Sequence, residues 1–425
     1  MHTRRYFLKQ ASVLAATTLL PGTFLRALVS KQIPLSNQFS LGVASADVTA
    51  ENVILWTYYT GFYPLKVCVW TEDHKGMWAD AKRGEGGYIQ MEIGGLSPYT
   101  RYKYAFSEIG FDGQPIAQSQ VGYFTTAPGE NNLRSLKFGA VSCIKYLYEA
   151  PLLEQAAQEK LDFFVFNGDN SYNDGMSTLG EFRSRWSETL SKKGHWALRR
   201  STSLIATLDD HDIEDNFDME KIAWQKFETG KQAFFEHMPM RRNTSNPDQI
   251  WRKLSWGLTL DVFVLDCRTE RRPSVGQYIS RAQMDWLKEG LRTSRAMFKI
   301  IMNSVPISEF PMLPMAEDRW EGFPEQRREI LEFIDSIGIP NLLWLSGDFH
   351  FTSLGRVSNS VGPGYTQREA LAGPGAQISN RMGHLLKLSS QFDWVHVANS
   401  YLVINCNVER EHMEITPRFL GWEYL

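Results

Sequence analysis

The chain has 425 residues, 43% apolar and 13% aromatic, enough to bury the cores of two domains or of one large one. Its formal net charge of -3 leaves no basic footprint for nucleic acid and no general attraction to acidic membranes. The four cysteines, Cys68, Cys143, Cys267 and Cys406, lie far apart, mostly in or just after apolar runs, so free thiols are expected, one of them a ligand.

Thr3 to Lys9 reads T-R-R-Y-F-L-K, and an apolar run follows from Ala11 to Leu25. The run is short for a membrane span of roughly 20 residues. Twin arginines before it resemble a twin-arginine export signal, so residues 1–30 are expected to be a removable leader. From 31 to 130 the pattern is strand-like. Val53 to Tyr58, Leu65 to Thr71, Gly87 to Ile93, Tyr99 to Ile109 and Gln120 to Thr125 are short apolar runs between glycine-rich turns. That spacing predicts a β-sandwich. Leu96 to Tyr104 resembles the L-x-P-x-T-x-Y-x-Y signature of fibronectin type III domains, in which a tyrosine pins a corner. Ala127 to Asn132, with Pro128 and Gly129, reads as a linker.

Residues 131–425 alternate strand and helix, which predicts a layered α/β domain. Strands are expected at Lys137 to Val141, Phe163 to Phe166, Ser203 to Leu208, Leu260 to Leu265, Phe298 to Met302 and Leu342 to Leu345. Helices are expected from Ala150 to Lys160, Phe182 to Arg199, Ser280 to Ser294 and Pro324 to Ile337. Ser280 and Gln283 have capping-box spacing. Tyr401 to Val408 and Met413 to Phe419 read as a final antiparallel pair. Phe163 to Phe166, four consecutive apolar residues, reads as a strand buried on both faces.

The strand ends carry the chemistry. Successive runs finish in Ser142-Cys143, Asn167-Gly168-Asp169, Asp209-Asp210-His211-Asp212, Asp266-Cys267-Arg268, Asn303 and Ser346-Gly347-Asp348-Phe349-His350. Ligands bind at the carboxyl ends of strands in open α/β sheets. So many ionisable groups at one edge are costly unless paired or metal-bound. Asp348-x-His350, read as extended, puts both side chains on one side, as two ligands of one centre. Tyr172, three residues after Asp169, is near enough to point at whatever Asp169 holds.

These motifs, in this order, resemble the alkaline phosphatase D (PhoD-type) family of the calcineurin-like metallophosphoesterases. Ala140-Val141-Ser142-Cys143 is similar to the family's A-S-C element, and Asn167 to Tyr172 to its G-D-Y-x-Y element. Asp209 to Phe217 resembles D-D-H-E-x-x-x-N, Leu265 to Arg268 resembles L-D-T-R, and Gly347 to His350 matches G-D-x-H. Asp318 to Pro324 matches a D-x-W-D-G-Y-P region. Asn170 stands where the family has its first tyrosine, and Asp174 lies one place after the usual acidic position.

The resemblance implies an N-terminal fibronectin-like β-sandwich followed by an α/β metallophosphoesterase domain. It implies ferric iron (Fe3+) held by Cys143, Asp169 and Tyr172, and calcium (Ca2+) held by Asp169, Asn216 and Asp348, with His350 completing the cluster and another divalent metal being the alternative. Asp210 and His211 would act as ligands or orient the substrate, and Arg268 would meet a phosphate oxygen. The expected activity is hydrolysis of small phosphate monoesters or diesters. The expected handling is by the twin-arginine machinery to the periplasm or outside the cell, with no stable membrane span after processing. The competing reading is a secreted polymer-binding protein on a degenerate metallophosphoesterase scaffold. No phosphate-binding G-x-x-x-x-G-K-[ST] loop or serine elbow supports nucleotide-driven or acyl-transfer chemistry.

Overall fold

A computed structural model describes residues 18–19, 33–73, 75–310 and 313–420. The twin-arginine segment lies outside the described residues. Two large sheets stack face to face. The first has eight strands in the order His412–Phe419, Ser400–Asn407, Leu136–Val141, Phe163–Asn167, Ser203–Thr207, Val43–Ala46, Val53–Tyr58, Tyr88–Ile93. The second has seven, ordered Arg252–Trp256, Leu260–Val264, Phe298–Met302, Leu342–Ser346, Arg368–Leu371, Thr352–Arg356, Phe392–His396. Each has a parallel centre with antiparallel edges.

Phe163–Asn167 shows why this stacking holds. Side chains alternate across a strand. Phe163 and Val165 enter the core between the sheets, where the Phe163 ring lies 4.5 Å from Phe138 and 4.2 Å from Trp256. Phe164 and Phe166 point the other way, into a core shared with Phe182 and Trp186 of the helix Leu179–Leu190 and with Phe234 of the helix Trp224–His237. Fully burying each such ring stabilises by about 1.5–3 kcal/mol. On the outer face of the second sheet, Phe263, Ile301 and Trp344 pack on the helices Arg281–Thr293 and Pro324–Ile337. Helices therefore cover both outer faces of the paired sheets.

The N-terminal strands are built into this frame. Val43–Ala46 pairs in parallel with Ser203–Thr207, so the first sheet runs across residue 130. A third, six-stranded sheet contains Leu65–Trp70, Gly76–Ala81, Arg101–Ile109 and Gly122–Thr125, and it shares the core of the first two. The Tyr102 hydroxyl accepts a hydrogen bond from the Ser97 N–H at 2.9 Å, which pins the corner before Arg101–Ile109.

Several expected elements are redrawn. The helix expected over Phe182 to Arg199 is two helices, Leu179–Leu190 and Lys193–Ser201, broken at Lys192 with extended backbone. The first starts earlier because Thr178 and Glu181 form the reciprocal capping box. At Ser280 only half a box forms. Ser280 Oγ accepts the Gln283 N–H, but the Gln283 side chain is spent on Asp266 and Glu270. The helix from Ala150 shortens to Pro151–Ala156. The helix Trp224–His237 and the strands Val43–Ala46 and Gly76–Ala81 have no counterpart in the sequence reading.

Candidate metal centre

The carboxyl ends of the two parallel centres meet, and they are tied to each other. Asn167 Nδ2 donates to the Asn303 carbonyl at 3.2 Å and the Leu345 carbonyl at 3.0 Å, across the gap between sheets. Thr207 Oγ1 donates to the Leu265 carbonyl at 2.6 Å. Gly168 has φ +88°, and a Cβ there would stand 2.6 Å from Asp209 Cβ. At Gly347 a Cβ would stand 2.6 Å from Ser142 Cβ and 2.8 Å from the Asn167 carbonyl oxygen. Both positions must be glycine for the loops to close on each other.

Strain is gathered here. Among the described residues, twelve non-glycines have positive φ, and five of them are Cys143, Asp169, Asn216, Asp348 and His350. Such backbone costs of order 1–3 kcal/mol each and persists where surrounding structure enforces it, characteristically at functional sites. The extended Asp348-x-His350 reading is corrected by this geometry. Asp348 at φ 70° and His350 at φ 54° lie on left-handed backbone, and their side chains enter two neighbouring groups.

Those groups share Asp169. Cys143, Asp169 and His350 bring ligand atoms within 4.8 Å of one another, as do Asp169, Asp209, Asp210 and Asp348, and as do Asp169, Asp210 and His211. The Tyr172 hydroxyl lies 3.1 Å from Asp169 Oδ2 and 3.0 Å from His350 Nε2, inside the first group. Asn216 lines the adjoining cleft, where its backbone N–H donates to Asp210 Oδ2 at 2.7 Å and its side-chain amide to Asp215. The cleft holds about 190 Å³ and is lined by Asp210, His211, Asn216, Asp348, Phe349 and His350 among others.

The electrostatics are those of a cation site. Asp169 Oδ1, Asp209 Oδ2 and Asp210 Oδ1 are buried oxygens without a hydrogen-bond donor among the described residues. Burial, then neighbouring carboxylates, push Asp348 well above the usual carboxylate range. Asp169 is pushed the same way by burial and by Asp209, Asp210 and Asp348, although His211 pulls it down. Burial and Asp169 likewise raise the Cys143 thiol. Burial pulls His211 down, yet Asp169, Asp174 and Asp210 together bring it up to about 11. Carboxylates this close repel, and a cation among them removes the repulsion. The donor set divides by character: thiol, phenol and imidazole beside Asp169 on one side, carboxylates on the other.

Arg268 stands behind the carboxylates with no exposed surface. Its Nε donates to Asp209 at 2.5 Å, and its two terminal nitrogens donate to Asp318 at 2.6 and 2.9 Å. Asp210 Oδ1 is 3.6 Å away. Burial raises Asp210, but Arg268 and His211 outweigh it and hold that carboxyl below the usual range. His211 is itself fixed, with Nδ1 2.8 Å from Asp174 and its ring stacked on Tyr172 at 4.2 Å.

The nine residues expected to form the site thus converge, with Arg268 one layer behind. Residues without an assigned role in the sequence reading are Asp209, Asp174 and Asp318. Asp209 is visible as the first of the paired aspartates ending Ser203–Thr207. The other two are recognisable only through the groups they hold. All four cysteines are free and buried.

Comparison with known proteins agrees with this architecture. The family model for the PhoD-like phosphatase matches residues 138–373. The curated alkaline phosphatase D of Bacillus subtilis (strain 168) is 26% identical over 388 residues, covering 74% of this chain, and the chain spans 65% of that relative's length. Among solved structures, PhoD superposes with a TM-score of 0.78 at 22% identity, covering 90% of each chain. The purple acid phosphatase PPD1 of yellow lupin (Lupinus luteus) gives 0.61 at 10% identity, covering 86% of this chain and 69% of the other. At these identities both structures show a shared metallophosphoesterase-like fold. The family match extends over more than half of the chain, from within Leu136–Val141 to the loop after Arg368–Leu371, and takes in all nine site residues. This chain belongs to the PhoD-like phosphatase family.

Proposed function

We propose that the chain is a metal-dependent phosphoester hydrolase acting on small phosphate monoesters or diesters. The observation that carries the reading is the convergence on Asp169 of buried carboxylate oxygens that no donor among the described residues satisfies. Cys143, Asp169, Tyr172 and His350 suit ferric iron, because thiolate and phenolate favour it. Asp169, Asp210 and Asp348, with Asn216 at the rim, offer oxygen atoms that suit calcium or another hard divalent cation. Bound there, such cations supply Lewis-acid polarisation of a phosphoryl oxygen and lower the pKa of water.

The chain's own residues do the rest. Asp174 holds His211 Nδ1, which leaves Nε2 to donate toward the cleft, to a phosphoryl or leaving-group oxygen. Arg268, spent on Asp209 and Asp318, steadies the carboxylates and is reassigned from phosphate contact to that support. Lys145 takes over the phosphate contact: its Nζ lies 5.4 Å from the Tyr172 ring and pairs with no carboxylate among the described residues. Export by the twin-arginine route, to the periplasm or outside the cell, belongs to the same reading and is supported by Arg4 and Arg5 ahead of the apolar run.

The test is Asp169→Asn, with phosphomonoesterase and phosphodiesterase rates, metal content, visible absorption and melting measured on one preparation. The parent is expected to contain iron, to be coloured by thiolate and phenolate charge transfer, and to hydrolyse at least one ester class. The variant is expected to fold, to lose metal and colour, and to fall at least 100-fold in rate, of order the 10²–10³ lost with one transition-state stabilising group. A variant retaining its metals and most of its rate would overturn the reading.

A further inference from the structure

Beside the cleft the chain presents a surface that hydrolysis of a soluble ester does not need. Asn380 donates its N–H to the His350 carbonyl at 2.9 Å, so the segment that follows is anchored to the centre's own loop. From Ile378 to Leu388 the sequence reads I-S-N-R-M-G-H-L-L-K-L. Its middle is a single helical turn, Gly383–Leu386, fixed to the body by Leu386, which packs with Phe310, Phe351 and Val395.

The other large apolar side chains point outward. Ile378 is 73% exposed, Met382 38%, Leu385 41% and Leu388 84%. Met382, Leu385 and Leu388 recur every three residues, on a side of the turn away from buried Gly383 and Leu386. Met315, 47% exposed, lines the same cleft as Asn380. Scattered apolar residues on a surface are ordinary, but a run of them bordering one cleft marks an interaction surface.

Charge says what covers it. From Ala370 to Phe392 the chain has no aspartate or glutamate, while Arg381 and Lys387 flank the apolar side chains with His384 between them. Both cations are exposed, and neither is ion-paired among the described residues. In a chain of net charge -3, this stretch alone is +2 from its arginine and lysine. An apolar strip edged by basic groups is the pattern of segments that lie in a membrane interface, with apolar side chains among the acyl chains and cations at anionic headgroups. A second copy meeting this strip about a two-fold axis would set Arg381 and Lys387 near their own counterparts, like charge against like, whereas anionic headgroups meet both cations.

We propose that Ile378–Leu388 is a docking surface for an anionic lipid bilayer, holding the metal cleft at the level of the headgroups. The proposal goes beyond ester hydrolysis and is independent of it, since binding is read without turnover.

The experiment is flotation of the metal-loaded full chain with vesicles of phosphatidylcholine alone and of phosphatidylcholine mixed with phosphatidylglycerol. Flotation only with the mixed vesicles is expected. Arg381→Gln with Lys387→Gln should weaken it by about fivefold per charge. Met382→Ser with Leu385→Ser and Leu388→Ser should weaken it at least tenfold. Leu388→Ser alone, at the most exposed position, keeps the test valid if the triple variant does not fold. Sedimentation without lipid is run alongside. No flotation with either vesicle, flotation that ignores these substitutions, or a dimer that the apolar substitutions convert to monomer would each overturn the proposal.

Discussion

Arg268 shows how a single side chain divides two accounts of the site. An arginine that only meets substrate phosphate can be removed at the cost of KM, with the fold intact. Arg268 instead neutralises Asp209 and Asp318 in a buried position. Arg268→Met leaves Asp209 buried and unpaired, while Asp318 keeps Arg271 at 2.7 Å, and breaking a buried pair costs about 3–5 kcal/mol. A large fall in the urea midpoint is therefore expected, together with loss of metal. Unchanged stability with a raised KM would return Arg268 to the substrate. The reverse is expected of Lys145→Gln: a KM raised about tenfold or more, with metal content and melting unchanged, since hydrogen bonds to charged groups contribute about 1.5–3 kcal/mol. Gly168→Ala probes the backbone. Left-handed backbone costs alanine roughly 1–2 kcal/mol, and the added methyl would also stand 2.6 Å from Asp209 Cβ. Both effects displace the loop that carries Asp169, so stability and metal content should fall together.

At the scale of elements, the helices behind the first sheet make stability depend on pH. His195 in Lys193–Ser201 and His237 at the end of Trp224–His237 are both buried, and burial brings each down to about 3. His237 is held between the Ala233 carbonyl at 2.7 Å and the Tyr88 hydroxyl at 2.9 Å, whereas neither ring nitrogen of His195 has a partner. In the unfolded chain a histidine titrates near ~6.5. The neutral folded form is thus fully favoured above that pH. The advantage is lost as pH falls from about 6.5 toward 3, by up to ~1.4 kcal/mol per pH unit per histidine. His195→Phe keeps an aromatic ring against Phe166, where the rings lie 13° from parallel. Urea unfolding at pH 7.5, 6 and 5 should show a shallower loss for the variant than for the parent. Equal slopes would mean that His195 gains a proton without cost.

For the whole molecule, the centre acts as a clasp. Cys143 and Asp169 follow strands of the first sheet, Asp348 and His350 a strand of the second, and Asn167 bridges the two. A cation bound among them binds the stacked pair and not the separated sheets. Such a ligand stabilises by RT ln(1 + [L]/Kd), about 4 kcal/mol at a thousandfold excess over Kd. Chelation should lower the melting temperature of the parent by several degrees and leave Asp169→Asn nearly unmoved. Equal melting of both proteins with and without chelator would show that no metal joins the sheets.

How much of this was written in the sequence depends on the range of the interaction. Phe163–Asn167 was legible because four apolar residues in a row admit few structures, and the turn after it because Gly168 allows what other residues resist. Seven motif residues could be placed at strand ends for the same local reason, and their order carried the family resemblance. The Trp224–His237 helix was not legible, because its buried face includes Lys231 and His237, polar residues that hide an apolar stripe. The left-handed backbone at Asp348 and His350 was not legible either, since an isolated D-F-H reads as extended. Close packing of Gly347 against Ser142 and Asn167, distant in sequence, bends that loop. The sequence by itself determined which strands form and which chemical groups stand at their ends, because periodicity and turn residues act over a few positions. Only the tertiary structure decided that the carboxyl ends of two stacked sheets meet, that Asp169 lies in every ligand group, and that Arg268 supports carboxylates. Those outcomes depend on distances between residues far apart in the chain, which the stacking of apolar faces sets and no local pattern records.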